Sequence, residues 1–208
     1  MSRLRCLSTA LGILAAAPSV SASQQFTKPA RVTAVAAPTP LDTTGRFQDR
    51  AVRVGEDVFV TGQPTELGLR ELHDQGVTTV VNLRTPEEMT RNVTFDEAAL
   101  VAQLGMRYVY LPVRGTAEFP YSPETLAKFA EAVRTANGKV LLHCTIAWRA
   151  SHLWAAYLIK EQGIPVEDAL ANARAINLMD THRMGSNGRQ PVEDFLNQVL
   201  PTLGHPPH

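Results

Sequence analysis

Residues 77–83 read VTTVVNL, a continuous β-branched run. A strand with one wet face alternates apolar and polar residues. A continuous run marks a strand covered on both faces, as in a parallel sheet packed between helices. The neighbouring segments alternate strand and helix around it. Asp57–Thr61 (DVFVT) reads as a strand, and Thr65–Gln75 as a helix stopped by Gly76. Thr94 and Glu97 have capping-box spacing ahead of AALVAQL, with Gly105 as the stop and Asp96 inside the first turn. Met106–Val113 reads as a strand, and Ser122-Pro123 opens a helix that runs to Asn137-Gly138. A VLLH strand follows, then helices from about Trp148, near Pro165–Asn177 and near Pro191–Leu200. No internal repeat is found. The pattern predicts an α/β fold, a central mostly parallel sheet flanked by helices on both faces in a three-layer sandwich. Such sheets bind ligands beyond the carboxyl ends of their strands. Cys144 follows one strand end, Arg84 another, and Arg114–Tyr121 a third, so all three are expected on one rim.

Cys144 stands on the turn between the VLLH strand and a helix start, five residues before Arg149. Backbone N–H groups and the positive end of the helix dipole converge there. A thiol so placed favours its thiolate. Arg149 adds a planar, two-pronged donor for an oxyanion. A nucleophile and an anion cradle in one short loop point to chemistry on phosphate or sulfur.

The ends of the chain read differently. Arg3 and Arg5, the apolar segment Leu7–Ala17 and the small residues Val20-Ser21-Ala22 form the three-part pattern of a secretory signal. The apolar part is too short to span a bilayer. Cleavage after Ala22 would remove Cys6 and leave Cys144 as the single cysteine, without a disulfide partner in its own chain. The expected organisation is a signal peptide at 1–22, a flexible Ala/Pro/Thr-rich lead-in at 23–45, one domain at 46–201 and a frayed tail at 202–208. A periplasmic or secreted protein with no stable membrane insertion follows. The formal net charge of zero is unlike the basic excess of a nucleic-acid binder. His152 and His182 lack metal-ligand spacing with Cys144, so neither a metal nor a cofactor is expected.

Three segments in order, VFVTGQPTELGLRELHDQGVTTVVNLRTPEE, MRYVYLPV and VLLHC followed by Arg149 and Leu153-Trp154, resemble the bacterial beta-lactamase-hydrolase-like phosphatases, relatives of the dual-specificity and tyrosine phosphatases. The resemblance covers roughly residues 53–178. It implies a cysteine-phosphatase fold, with Cys144 at the position of the nucleophile and Arg149 at that of the phosphate-binding arginine. The spacing is Cys-x4-Arg, where ordinary tyrosine phosphatases have Cys-x5-Arg. Ala147 stands where loops of the family tend to carry glycine, and an alanine at positive φ there would cost on the order of 1 kcal/mol. Ala150 occupies the place of a common Ser or Thr.

For phosphoryl transfer, Cys144 would attack phosphorus while the backbone of Thr145, Ile146, Ala147 and Trp148, together with Arg149, holds the oxygens. The substrate would be a phosphorylated small molecule or protein. Strand alternation turns His143 away from Cys144, so it is expected to orient the loop or to sit in the core. Between Asp96 and Cys144 there is no aspartate, so Glu118 in the strand-end loop is the nominated general acid, with Asp180 a more distant candidate. Arg84 and Arg114 are candidates for positive potential at the mouth, and Trp148 for stacking on an aromatic substrate. The same residues fit two rivals. One is a rhodanese-type sulfurtransferase carrying a persulfide on Cys144. The other is a phosphatase-like domain that binds an anion or a partner without turnover.

Overall fold

The computed structural model describes residues 35–178. Six strands form one sheet: β1 (Thr39–Pro40), β2 (Ala51–Val54), β3 (Val58–Thr61), β4 (Val77–Asn82), β5 (Arg107–Tyr110) and β6 (Lys139–His143). Their order is β1-β2-β3-β6-β4-β5. The β3–β6, β6–β4 and β4–β5 pairs are parallel, and β1–β2 and β2–β3 are antiparallel. Six helices accompany them: α1 (Glu66–Asp74), α2 (Pro86–Asn92), α3 (Glu97–Gln103), α4 (Pro123–Arg134), α5 (Trp148–Lys160) and α6 (Val166–Ile176). The mostly parallel α/β sandwich is therefore present.

Period-two alternation divides the core. Phe59, Val80 and Leu141 pack with Leu69 and Leu72 of α1 and with Leu100 and Val101 of α3. Val58, Val60, Val81, Val140 and Leu142 face the other way, onto α4, α5 and α6. β6 lies centrally, paired on both sides, and Val140, Leu141, Leu142 and His143 are buried, with Lys139 partly exposed at its start.

The structure corrects several sequence expectations. The sheet begins within the stretch read as lead-in: Thr39 and Pro40 pair with Arg53 and Val52, and the Ala36 carbonyl accepts from Asn172 Nδ2 at 2.9 Å. A proline is tolerated at this place because β1 is an edge strand. β2 and α2 were not anticipated. The strand read over Met106–Val113 is regular only to Tyr110, although Leu111 and Val113 continue to donate to the carbonyls of Asn82 and Leu83. The helix read to residues 137–138 ends at Arg134. Asp96, not Thr94, caps α3, its carboxylate accepting from Ala99 N–H at 2.9 Å. Glu97 is drawn inward instead, for reasons given below. Residues 1–34, which include the signal pattern, and residues 179–208, which include Asp180, His182, the helix read near 191–200 and the tail, lie outside the described residues.

The turn after β3 is built to touch the loop after β6. Gly62 forms a bridge with Ile146, and a β-carbon on it would lie 1.8 Å from the Gln48 carbonyl oxygen and 2.8 Å from that of Thr145. Both obstacles are backbone and cannot swing away. Gly62→Ala should therefore destabilise the fold by about 3 kcal/mol or more, read from the midpoint of urea unfolding.

Candidate active site

Cys144 ends β6, and α5 starts four residues later, so the segment between them is a tight loop. Its carbonyls are anchored outward. That of Thr145 accepts from Gln63 N–H (2.9 Å), that of Ile146 from Asn177 Nδ2 (2.5 Å), and that of Ala147 from Ser151 N–H (2.9 Å). All peptide bonds among the described residues are trans. In a trans peptide the N–H of the next residue points opposite to the carbonyl. The three anchors therefore fix the directions of the N–H groups of Ile146, Ala147 and Trp148, each opposite to an anchored carbonyl. Ala147 has φ 64° and ψ −3°, left-handed, directly ahead of a right-handed helix. That succession is the backbone concavity that binds anions.

The expectation of positive φ at Ala147 is met, and its side chain is fully buried in the core. Cys144 is 1% exposed and belongs to the same apolar cluster, on the α4–α6 side. His143 points to the opposite side, as alternation requires, and is fully buried.

Arg149 folds inward, 7% exposed, and its fork is held by Glu88: Nη1 to Oε2 at 2.9 Å and Nη2 to Oε1 at 2.8 Å. Nη1 also donates to the carbonyls of Val113 (2.9 Å) and Leu83 (3.3 Å), and Nη2 to Thr145 Oγ1 (3.0 Å). These bonds engage both terminal nitrogens and leave Nε–H as the remaining donor of the five. The two-pronged donation expected toward an oxyanion is thus made to a carboxylate, because a buried guanidinium needs a charged partner. Burial works to raise the Glu88 pKa, but Arg149 and the Thr85 N–H outweigh it and hold the carboxyl at about 2.

Glu88 reaches this place because Thr85, Pro86 and Glu88 form a capping box at the start of α2. Thr85-Pro86-Glu87-Glu88 carries that spacing legibly in the sequence.

A second buried carboxylate, Glu97, lies behind the loop. It accepts from His143 Nε2 (3.1 Å), Gln63 Nε2 (2.5 Å) and Asn82 Nδ2 (2.9 Å). Burial raises its pKa, and His143, Gln63 and Tyr108 more than offset that, leaving it lowered. No sequence rule marks this group, whose three partners come from β4, β6 and the turn after β3.

The remaining candidates are placed as follows. Arg84 is not at the mouth. It is fully buried, with Nη1 on Gln63 Oε1 (2.7 Å) and Nη2 on the Glu88 carbonyl (3.1 Å), so it acts as scaffold. Arg114 is exposed, 4.0 Å from Glu88 Oε1. Glu118 is exposed on a loop closed by Arg114 and Gly115 N–H bonds to the Phe119 carbonyl, and among the described residues it makes no hydrogen bond to the cysteine loop. Trp148 packs edge-on against His152, with ring centroids 4.5 Å apart. Among the described residues His152 has no hydrogen-bond partner on either ring nitrogen, and burial lowers its pKa to about 3.

Residues 17–190 match the family described as "DSP-PTPase phosphatase fused to NAD+ Kinase", and the chain belongs to that family. Beta-lactamase hydrolase-like proteins of Xylella fastidiosa (strain 9a5c) and Agrobacterium fabrum are 30% and 28% identical to it, over 107 and 106 residues. The matched stretch is about half of this chain and 24% of the length of those relatives. A DUF442 protein of Shewanella putrefaciens has a similar fold, with TM-score 0.54, 22% identity, and 81% of this chain and 92% of that one covered. P. aeruginosa TpbA, solved in complex with phosphotyrosine, gives TM-score 0.55 at 18% identity over 79% and 90%. The fold is that of the cysteine phosphatases.

The site's ionisation has a stability signature. Glu88 has a lowered pKa, so its contribution is complete above the ordinary carboxylate range and is lost as pH falls toward 2. His152 is held neutral, so its protonation favours the unfolded chain once pH drops below about 6.5. Stability should therefore fall in two stages on acidification. His152→Phe should flatten the stage between pH 7 and about pH 5, and Glu88→Gln should remove about 2 kcal/mol at neutral pH and flatten the lower stage. Urea unfolding across pH checks both.

Proposed function

We propose that the chain is an exported cysteine-dependent phosphatase acting on phosphotyrosine-like or small phosphate monoesters. The observation that carries this reading is the loop 144–149. Three carbonyls are tied to neighbouring segments, the N–H groups opposite them are thereby held in fixed directions, and a thiol and a guanidinium stand at its two ends.

In the reaction, the Cys144 thiolate forms an S–P bond as the ester P–O bond breaks. The loop N–H groups and Arg149 Nε–H stabilise the equatorial oxygens as charge builds on them. The departing oxygen takes a proton from a general acid. Glu118 fills that role on the loop that follows Val113, whose carbonyl is bonded to Arg149. Water then attacks phosphorus, releasing inorganic phosphate and restoring the thiolate. Aryl esters suit a site without an aspartate acid because their leaving groups need less protonation. The phosphotyrosine bound to TpbA, a protein of the same fold, supports the same substrate class. Export follows from the N-terminal signal pattern, and the substrate is accordingly a phosphorylated molecule met outside the cytoplasm.

The purified protein should hydrolyse para-nitrophenyl phosphate, be inhibited by orthovanadate, and lose activity at least about 10³-fold in Cys144→Ser. Glu118→Gln should slow alkyl phosphates more than aryl phosphates. Thiocyanate formation from thiosulfate and cyanide, with no phosphate release, would replace this reading with sulfur transfer.

A further inference from the structure

The Thr61-Gly62-Gln63-Pro64 segment has no part in the reaction above, yet it lies against the cysteine loop. Gln63 holds the Thr145 carbonyl through its own N–H. Its side chain, in a residue only 6% exposed, joins two buried networks. Nε2 donates to Glu97 Oε2 at 2.5 Å, and Oε1 accepts from Arg84 Nη1 at 2.7 Å. Beyond Glu97 stands His143, the residue before Cys144. Beyond Arg84 stands Glu88, whose carbonyl accepts from Arg84 and whose carboxylate grips Arg149. The two ends of the cysteine loop thus meet at one amide.

The amide suits the place because it presents a donor at one end and an acceptor at the other. A flip would set its NH2 against a guanidinium and its carbonyl against a carboxylate. Two charges of opposite sign therefore fix its orientation. Loss of the amide would leave both charges short of a partner in a buried setting, where such a shortfall is costly.

We infer that Gln63 is a positioning residue of the anion cradle, coupling Glu97 and His143 on the Cys144 side to Arg84, Glu88 and Arg149 on the other. This rests on the reading of the loop as an oxyanion site.

Sulfate is the probe, because its charge is constant over the working pH range. Cys144→Ser is the parent, so that no thiol titrates. In calorimetry the parent should bind sulfate with a nearly flat pH profile. Gln63→Met keeps the length of the side chain and removes its bonds to Glu97 and Arg84, along with a local one to the Pro64 carbonyl, and should bind about tenfold more weakly at every pH. Gln63→Glu separates positioning from packing. Its carboxyl accepts from Arg84, and while protonated it also donates to Glu97. Burial beside Glu97 holds that proton above the ordinary carboxylate range, with Arg84 opposing. This variant should bind within about threefold of the parent at acid pH and lose about tenfold as pH rises. Glu97, Tyr108, Arg84, Glu88 and His143 all face this group and are common to the parent and the variant, so a divergence between their profiles belongs to the introduced carboxyl.

The inference is overturned if Gln63→Met binds like the parent, or if the Gln63→Glu profile runs parallel to the parent's. It is also overturned if sulfate added to the unsubstituted chain leaves the Gln63 side-chain amide NMR signals unmoved, a measurement that needs no variant to fold. Para-nitrophenyl phosphate turnover distinguishes the two claims. Absent turnover with the acid rescue intact removes the phosphatase reading alone. Undiminished turnover in Gln63→Met, on the Cys144 chain, removes the positioning role alone.

Discussion

A largely buried guanidinium organises this molecule. Arg149 is charged at any working pH, and an unpaired buried charge costs several kcal/mol. The fold answers with four partners. Glu88 comes from α2, the Leu83 carbonyl from the end of β4, the Val113 carbonyl from the segment after β5, and Thr145 from the loop after β6. One side chain therefore gathers the carboxyl ends of three adjacent parallel strands. The rim at which α/β sheets bind ligands is held together here by charge. This also accounts for α2, a helix with no buried residue of its own. Its capping box and its grip on Arg149 hold it where apolar packing does not.

The pleat of β6 divides the work between the two faces of the sheet. Leu141 and His143 face α1 and α3, whereas Leu142 and then Cys144 join the core beneath α4, α5 and α6. The thiol thus lies among apolar groups while its neighbour reaches a buried carboxylate. Gln63 and Arg84 carry polar contact from that second face to the Arg149 end of the loop. Burial also pulls the Arg84 pKa down, against the opposing effect of Glu88 and Glu97, so the region is a dense and mutually dependent set of charges.

The central layout was legible in the sequence because it rests on local signals. A continuous β-branched run marks β4, short apolar runs mark β3 and β6, and Thr65 and Ser122 mark helix starts that the structure confirms. The polar scaffold was harder to see. Glu97 has the spacing of a capping-box residue, and only the assembled fold shows that His143, Gln63 and Asn82 compete for its carboxylate. Arg84 follows a strand end as a ligand-binding arginine would, and nothing in its neighbours tells that it turns inward. Edge strand β1 and its neighbour β2 are short and contain a proline and an arginine, so their pairing outweighs weak local preference.

Ala147 shows how the loop can carry unusual side chains and keep its shape. Left-handed geometry costs alanine on the order of 1–2 kcal/mol. Burial of its methyl group in the core returns roughly 0.8 kcal/mol. The rest is met by bonds that do not involve its side chain, since Gln63, Asn177 and Ser151 fix the carbonyls on either side. A cradle made of backbone N–H groups needs its peptide planes aimed, and it is indifferent to what the side chains are. Isoleucine, alanine and tryptophan can therefore occupy positions where smaller or more polar residues are usual, provided the outward anchors stay in place. The anchors, more than the four residues between Cys144 and Arg149, define this site.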